Sequence, residues 1–129
     1  MKFGVHFGSR GVAGDPDTLK AIAQKAEELG YDHFGMSDHV VVATDVESAY
    51  PYSESGKFFA QDTGVSLEQV TALGFVAAAT DRIQLLTSVL VLPHRHPVLA
   101  AKMLSTVDVL SKGRLIAGVG VGWMAEEIA

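Results

Sequence analysis

Three short groups of residues in this 129-residue chain have the types and spacing to do chemistry. The first is Asp38-His39, where an imidazole that titrates near neutral pH stands next to a carboxylate able to orient it, a pairing suited to general acid or base work. The same pair also reads as a helix-capping Asp beside a structural His. The second is His94-Arg95-His96, which has the spacing of two metal-ligating imidazoles, with Asp38 or His39 as further ligands. Arg95 would repel a cation there, so a loop that clamps an anion, or is merely solvated, is the better reading and no metal is expected. The third is Gly118-x-Gly120-x-Gly122, glycines at every second position that let a backbone bend sharply or come close to a flat or anionic ligand. It misses the dinucleotide-binding fingerprint, whose third glycine would fall where Trp123 stands, and close packing of a helix on a strand explains it as well. Glu126 and Glu127 read as charges in the first turn of a helix and no more.

These groups sit at the ends of predicted strands. Lys2 to Phe7 is a short strand-like run followed by a loop with Gly8, Gly11 and Gly14. Asp15 can cap a helix, Pro16 suits its first turn, and Leu19, Ile22, Ala23, Ala26 and Leu29 recur at helical spacing until Gly30. The strand His33 to Ser37 then delivers Asp38-His39. Val40 to Val65, with Tyr50-Pro51-Tyr52 and Phe58-Phe59, is too irregular for one element, and a loop this long reads as a lid or binding loop. Ser66 with Gln69 makes a capping box for a helix ending near Thr80. Ile83 to Leu92, apolar and β-branched, is a buried strand stopped by Pro93, with His94 to His96 at its end. A third helix runs from Val98 to Leu110, and Arg114 begins a fourth strand that empties into a glycine turn and a helix starting near Trp123. Strands alternating with helices and no hairpin signal mean a parallel sheet with right-handed crossovers. A doubly wound sheet and a (β/α)8 barrel both fit, and four similar units without a change of direction favour the barrel.

Bulk composition narrows the classes of function. Hydrophobic residues make up 48% and charged residues 19%, which excludes wholesale disorder, and a net charge of -5 leaves no basic surface for nucleic acid. No linker or charge block divides residues 1–129, so one unit is expected. There is no cysteine, hence no disulfide, thiol nucleophile or thiolate metal site. His6, Arg10 and Asp15 come too early for a signal peptide, and the longest charge-free apolar stretches fall short of the roughly 18 residues of a membrane helix. Neither membrane nor nucleic acid is an expected partner, and the cytoplasm is the expected address.

Three ordered blocks carry a family resemblance. Ala26-Glu27-Glu28-Leu29-Gly30-Tyr31-Asp32 leads to Ser37-Asp38-His39, and Thr80-Asp81-Arg82-Ile83-Gln84-Leu85 leads to Leu90-Val91-Leu92-Pro93. Ser111-Lys112-Gly113-Arg114-Leu115 leads to Gly118-Val119-Gly120-Val121-Gly122-Trp123. Together they resemble the luciferase-like monooxygenase superfamily, nearest to its deazaflavin (coenzyme F420)-dependent oxidoreductases, along nearly the whole chain.

The resemblance implies an α/β fold that is the first half of a (β/α)8 TIM barrel, so the chain reads as an amino-terminal (β/α)4 portion of a longer design. It implies that the ring of F420, or alternatively FMN, lies across the strand ends and exchanges a hydride with a small organic substrate. His39 would donate a proton or polarise the substrate, with Asp38 beside it. Ser37, Asp38, Ser88, Val89, Gly118, Val119 and Gly120 would border the ring, Ser88-Val89 as a non-proline cis peptide. Where a sugar-phosphate dehydrogenase branch has a catalytic acid, this chain has Trp123, so an apolar or aromatic substrate is expected instead. Two alternatives stand beside this reading: an FMN-dependent monooxygenase of the same superfamily, and a non-catalytic half barrel. The half barrel would cover its open strand edges by self-association or with a carboxyl-terminal half.

Overall fold

The computed structural model describes residues 1–41, 43, 45–58 and 64–128, and within them the predicted alternation holds. The strands are β1 (Gly4–Phe7), β2 (His33–Met36), β3 (Gln84–Val91) and β4 (Leu115–Gly120). The helices α1 (Pro16–Glu28), α2 (Gln69–Ala79) and α3 (Pro97–Leu110) connect them, and α4 (Ala125–Ile128) follows β4. Each strand pairs in parallel with the next in sequence, giving the order β1-β2-β3-β4. A doubly wound sheet would place β1 inside and reverse direction beside it; this sheet starts at β1 and never reverses. It is the first half of a (β/α)8 TIM barrel pattern.

Apolar side chains on one face of the sheet and on the helices form a single core. Phe34 and Leu85 of the central strands are fully buried with Leu19 and Ala23 of α1 and Leu73 and Val76 of α2. Helix α1 starts as its sequence predicts, with the Asp15 carboxylate accepting the Thr18 N–H at 2.8 Å and Pro16 next in line. The expected capping box of α2 does not form. Ser66 is held in extended backbone by a bridge to Arg10, and the Leu67 N–H reaches Ser9 O at 2.8 Å, so the chain cannot turn into a helix there. Glu68 becomes the cap, accepting the Thr71 N–H at 2.7 Å, and Gln69 turns inward to donate to Met36 O at 2.6 Å.

Two charged side chains close the junction between α2 and β3. The Glu27 carboxylate accepts the backbone N–H groups of Asp81, Arg82 and Ile83; burial pushes its pKa up, but these bonds outweigh burial and hold it below the ordinary value. The Arg114 guanidinium donates to Ala77 O at 2.8 Å, Thr80 O at 3.0 Å and Ile83 O at 3.0 Å. The first two are carbonyls that the end of α2 leaves open, and the third ties the start of β3 to them.

The glycine-rich stretch differs most from its reading as a turn. Strand β4 continues through Gly120, only Gly122 of the three has a left-handed backbone (φ 82°), and α4 starts at Ala125 rather than near Trp123. Opposite Gly118, β3 carries two residues, Ser88 and Val89, joined by a cis peptide bond as the resemblance implied. A Cβ on Gly118 would run into the Thr87 carbonyl oxygen, and one on Gly120 would come within 2.6 Å of Val89 Cγ2. These two glycines admit the neighbouring strand. Among the described residues no helix is long and apolar enough to cross a membrane.

Candidate active site

The carboxyl ends of all four strands open into one cavity of about 850 Å³. Strand β1 leads into Gly8, Ser9 and Arg10; β2 into Ser37, Asp38 and His39; β3 contributes Ser88, Val89 and Val91; and β4 leads through Gly120 to Trp123. The long segment after β2 supplies Tyr50, Tyr52 and Phe58, as a binding loop would; Phe59 lies outside the described residues. Of the predicted site residues, Ser37, Asp38, His39, Ser88, Val89 and Gly120 line the cavity together. Gly118 and Val119 do not: Gly118 lies against the Thr87 backbone and Val119 is half exposed away from the cavity wall.

Asp38 and His39, adjacent in sequence, have different surroundings. The Asp38 side chain is fully buried; its Oδ2 accepts the Val91 N–H at 2.9 Å, and both oxygens take a bidentate pair of bonds from Arg95 at 2.6 and 2.8 Å. Arg95 also binds Glu68 Oε1 at 2.5 Å. Its pKa is raised, first by the bond to Asp38 and then, against the opposing effect of burial, by Glu68. The pKa of Glu68 would be pushed up by burial, but its bonds to Thr71 and Arg95 bring it below the ordinary value. Asp38 is therefore a strut joining the end of β2 to the end of β3, and its oxygens are already occupied.

The same geometry favours the anion clamp over the merely solvated loop as the reading of His94 to His96, although His96 itself is exposed. Arg95 does clamp an anion, but the anion is this chain's own carboxylate pair, and the His94 side chain is only 2% exposed. Among the described residues no group of three His, Cys, Asp or Glu side chains converges to hold a metal ion.

His39 keeps a side open to the cavity. Its Nδ1 lies 2.8 Å from Glu127 Oε1, and its ring tilts against Phe58 with centroids 5.1 Å apart. Phe58 in turn packs on Trp123 at 5.3 Å and Tyr50 at 5.3 Å, and Tyr50 meets Trp123 at 5.1 Å, making one aromatic wall. The Arg10 guanidinium stands 5.1 Å over the Phe58 ring. On the opposite side, His6 Nε2 lies 3.2 Å from Ser88 O, so β1 supports the cis peptide of β3.

The two acids of α4 do more than charge a helix turn. Glu126 Oε1 accepts the backbone N–H groups of Glu47 and Ser48 at 2.8 and 2.9 Å, and the Ala125 N–H reaches Ser48 Oγ at 3.1 Å. These bonds latch the long loop over the end of β4. They hold the Glu126 pKa down to about 2, its own backbone N–H contributing most and Ser48 next. Sequence spacing gave no sign of Glu127, Glu126 or Arg10 as site residues, because each acts on a partner far along the chain. The available signal was position: Arg10 follows the first strand's glycine, and the two acids follow the fourth strand.

The family model described as luciferase-like monooxygenase matches residues 1–129. The chain is 34% identical over 115 residues to the F420-dependent glucose-6-phosphate dehydrogenase of Amycolatopsis mediterranei, covering 88% of this chain and 30% of that protein. Among solved structures it resembles the monooxygenase RslO1 from Streptomyces bottropensis, with a TM-score of 0.69 and 28% identity over 98% of this chain and 35% of that one. Riboflavin lyase RcaE, solved with a modified FMN and riboflavin, shares the fold at a TM-score of 0.73 and 21% identity, over 99% of this chain and 31% of that one. The chain spans 29% to 39% of the length of the curated relatives that it matches along most of its own.

Proposed function

The chain belongs to the luciferase-like monooxygenase family, and from that premise we propose that it forms the ring-binding part of an oxidoreductase passing a hydride between coenzyme F420 and a small organic substrate. The observation that carries this reading is the cavity at the strand ends, which is roomy enough for a ring and a substrate and is lined from all four strand ends. There Ser88, Val89 and Gly120 line one part of the wall together, and the ring would lie against it. Ser37, Ser88, Val89 and Gly120 would border the ring, and Asp38 would fix the end of β2 through Arg95. When bound, the deazaflavin supplies or accepts the hydride. His39 is the group placed to hold or move a proton at the substrate.

The aromatic wall of Tyr50, Phe58 and Trp123 supports an apolar or aromatic substrate. The relative named for glucose 6-phosphate therefore supports the coenzyme and not that sugar. A second reading gives the same cavity FMN and oxygen, and the likeness to the monooxygenase RslO1 favours it. A fluorescence titration of the protein with F420, run beside one with FMN, separates the two. Saturable binding of F420 and none of FMN is expected; the reverse would install the monooxygenase reading, and binding of neither would remove both.

A further inference from the structure

The carboxylate of Glu127 has no task in the reading above, yet its side chain is only 4% exposed. An acid so far from water needs compensating hydrogen bonds or positive partners. Three groups face it. His39 Nδ1 lies 2.8 Å from Oε1, and His94 Nε2 lies 4.0 Å from Oε2. Arg10 is the third: burial lowers its pKa, and the charge of Glu127 acts in the opposite direction. Only the contact to His39 is a hydrogen bond; 4.0 Å is too long for one. Among the described residues neither ring nitrogen of buried His94 has a hydrogen-bond partner, so His94 walls the carboxylate without competing for it.

An ionised carboxylate can only accept; paired with one, Nδ1 would carry the proton, and a neutral imidazole protonated at Nδ1 has its lone pair on Nε2. Phe58 holds the His39 ring from another side. We propose that Glu127 is a positioning residue for His39: it fixes the tautomer with Nδ1 protonated and so presents Nε2 to the cavity as a proton acceptor. The inference rests on His39 as the proton-handling group and adds the residue that sets its protonation pattern, 88 positions along the chain.

The test is a long-range 1H–15N spectrum of the protein labelled with 15N-histidine and recorded without cofactor. Disappearance of a signal in His39→Gln assigns the residue. The expected result is the Nδ1–H form for His39, and in Glu127→Leu a shift to the Nε2–H form that a free histidine side chain prefers, with His6, His33 and His96 unmoved. Leu is chosen because a Gln amide could still accept from Nδ1. A wild-type His39 protonated at Nε2, neutral or charged, overturns the proposal whatever the stability of the variant. An unchanged Nδ1–H form in Glu127→Leu overturns it too. Since the spectrum needs no cofactor, a protein that binds neither F420 nor FMN still passes or fails this test.

Discussion

At the scale of single residues, two neighbours that the sequence presents as a pair have opposite lives. His39 faces the cavity, so His39→Ala should lower turnover by about 100- to 10,000-fold, the usual range for losing a general acid or base, while leaving ring affinity largely intact. Turnover equal to the wild type, measured on any substrate that a screen finds, would remove His39 from the chemistry. Asp38 is instead bound to Arg95, with Glu68 on the same guanidinium. Arg95→Met would leave a buried carboxylate without its cation and should cost about 3–5 kcal/mol in urea unfolding; a midpoint like that of the wild type would contradict the strut. His39 was legible because a His at a strand end is a recognisable signal. The fate of Asp38 was not, because Arg95 comes from the next unit, 57 positions along the chain, and only the fold brings the two together.

At the scale of elements, the alternation of strands and helices could be read to within about two residues, because buried β-branched runs and helix-period apolar residues have clear patterns. What the patterns did not carry is the use of small and charged residues between elements. Gly118 looked like part of a ligand-facing turn, yet it serves the approach of β3, a demand set by the two-against-one pairing across the strands, while Gly120 meets both β3 and the cavity. The latch of α4 on the long loop was equally hidden, since Glu126 and Ser48 are 78 positions apart. The latch has a definite pH dependence. The folded-state carboxyl titrates near 2, below its ordinary 4.5, so its contribution is complete above about pH 4.5 and is lost as pH falls through about 2. Hydrogen exchange at the Glu47 and Ser48 amides, corrected for intrinsic rates, should therefore lose protection across that window. Glu126→Gln should lose much of it at neutral pH; equal protection in the variant would mean that other contacts hold the loop.

At the scale of the whole molecule, the fold places every candidate group at one end of a parallel sheet, the end at which open strand termini and short loops can meet a ligand. The barrel pattern followed from four units that never change direction, and the consecutive strand order bears it out. The ring is proposed to sit at this end of the sheet, and the molecule carries its own reporter: the chain has one tryptophan, Trp123, and it lines the cavity. The most direct measurement is Trp123 emission during titration with F420. A ring seated on Ser88-Val89 and Gly120 would lie close to the indole, so saturable quenching is predicted, in step with the binding seen by F420's own fluorescence. Saturable F420 binding with Trp123 emission unchanged would place the ring elsewhere and contradict the account.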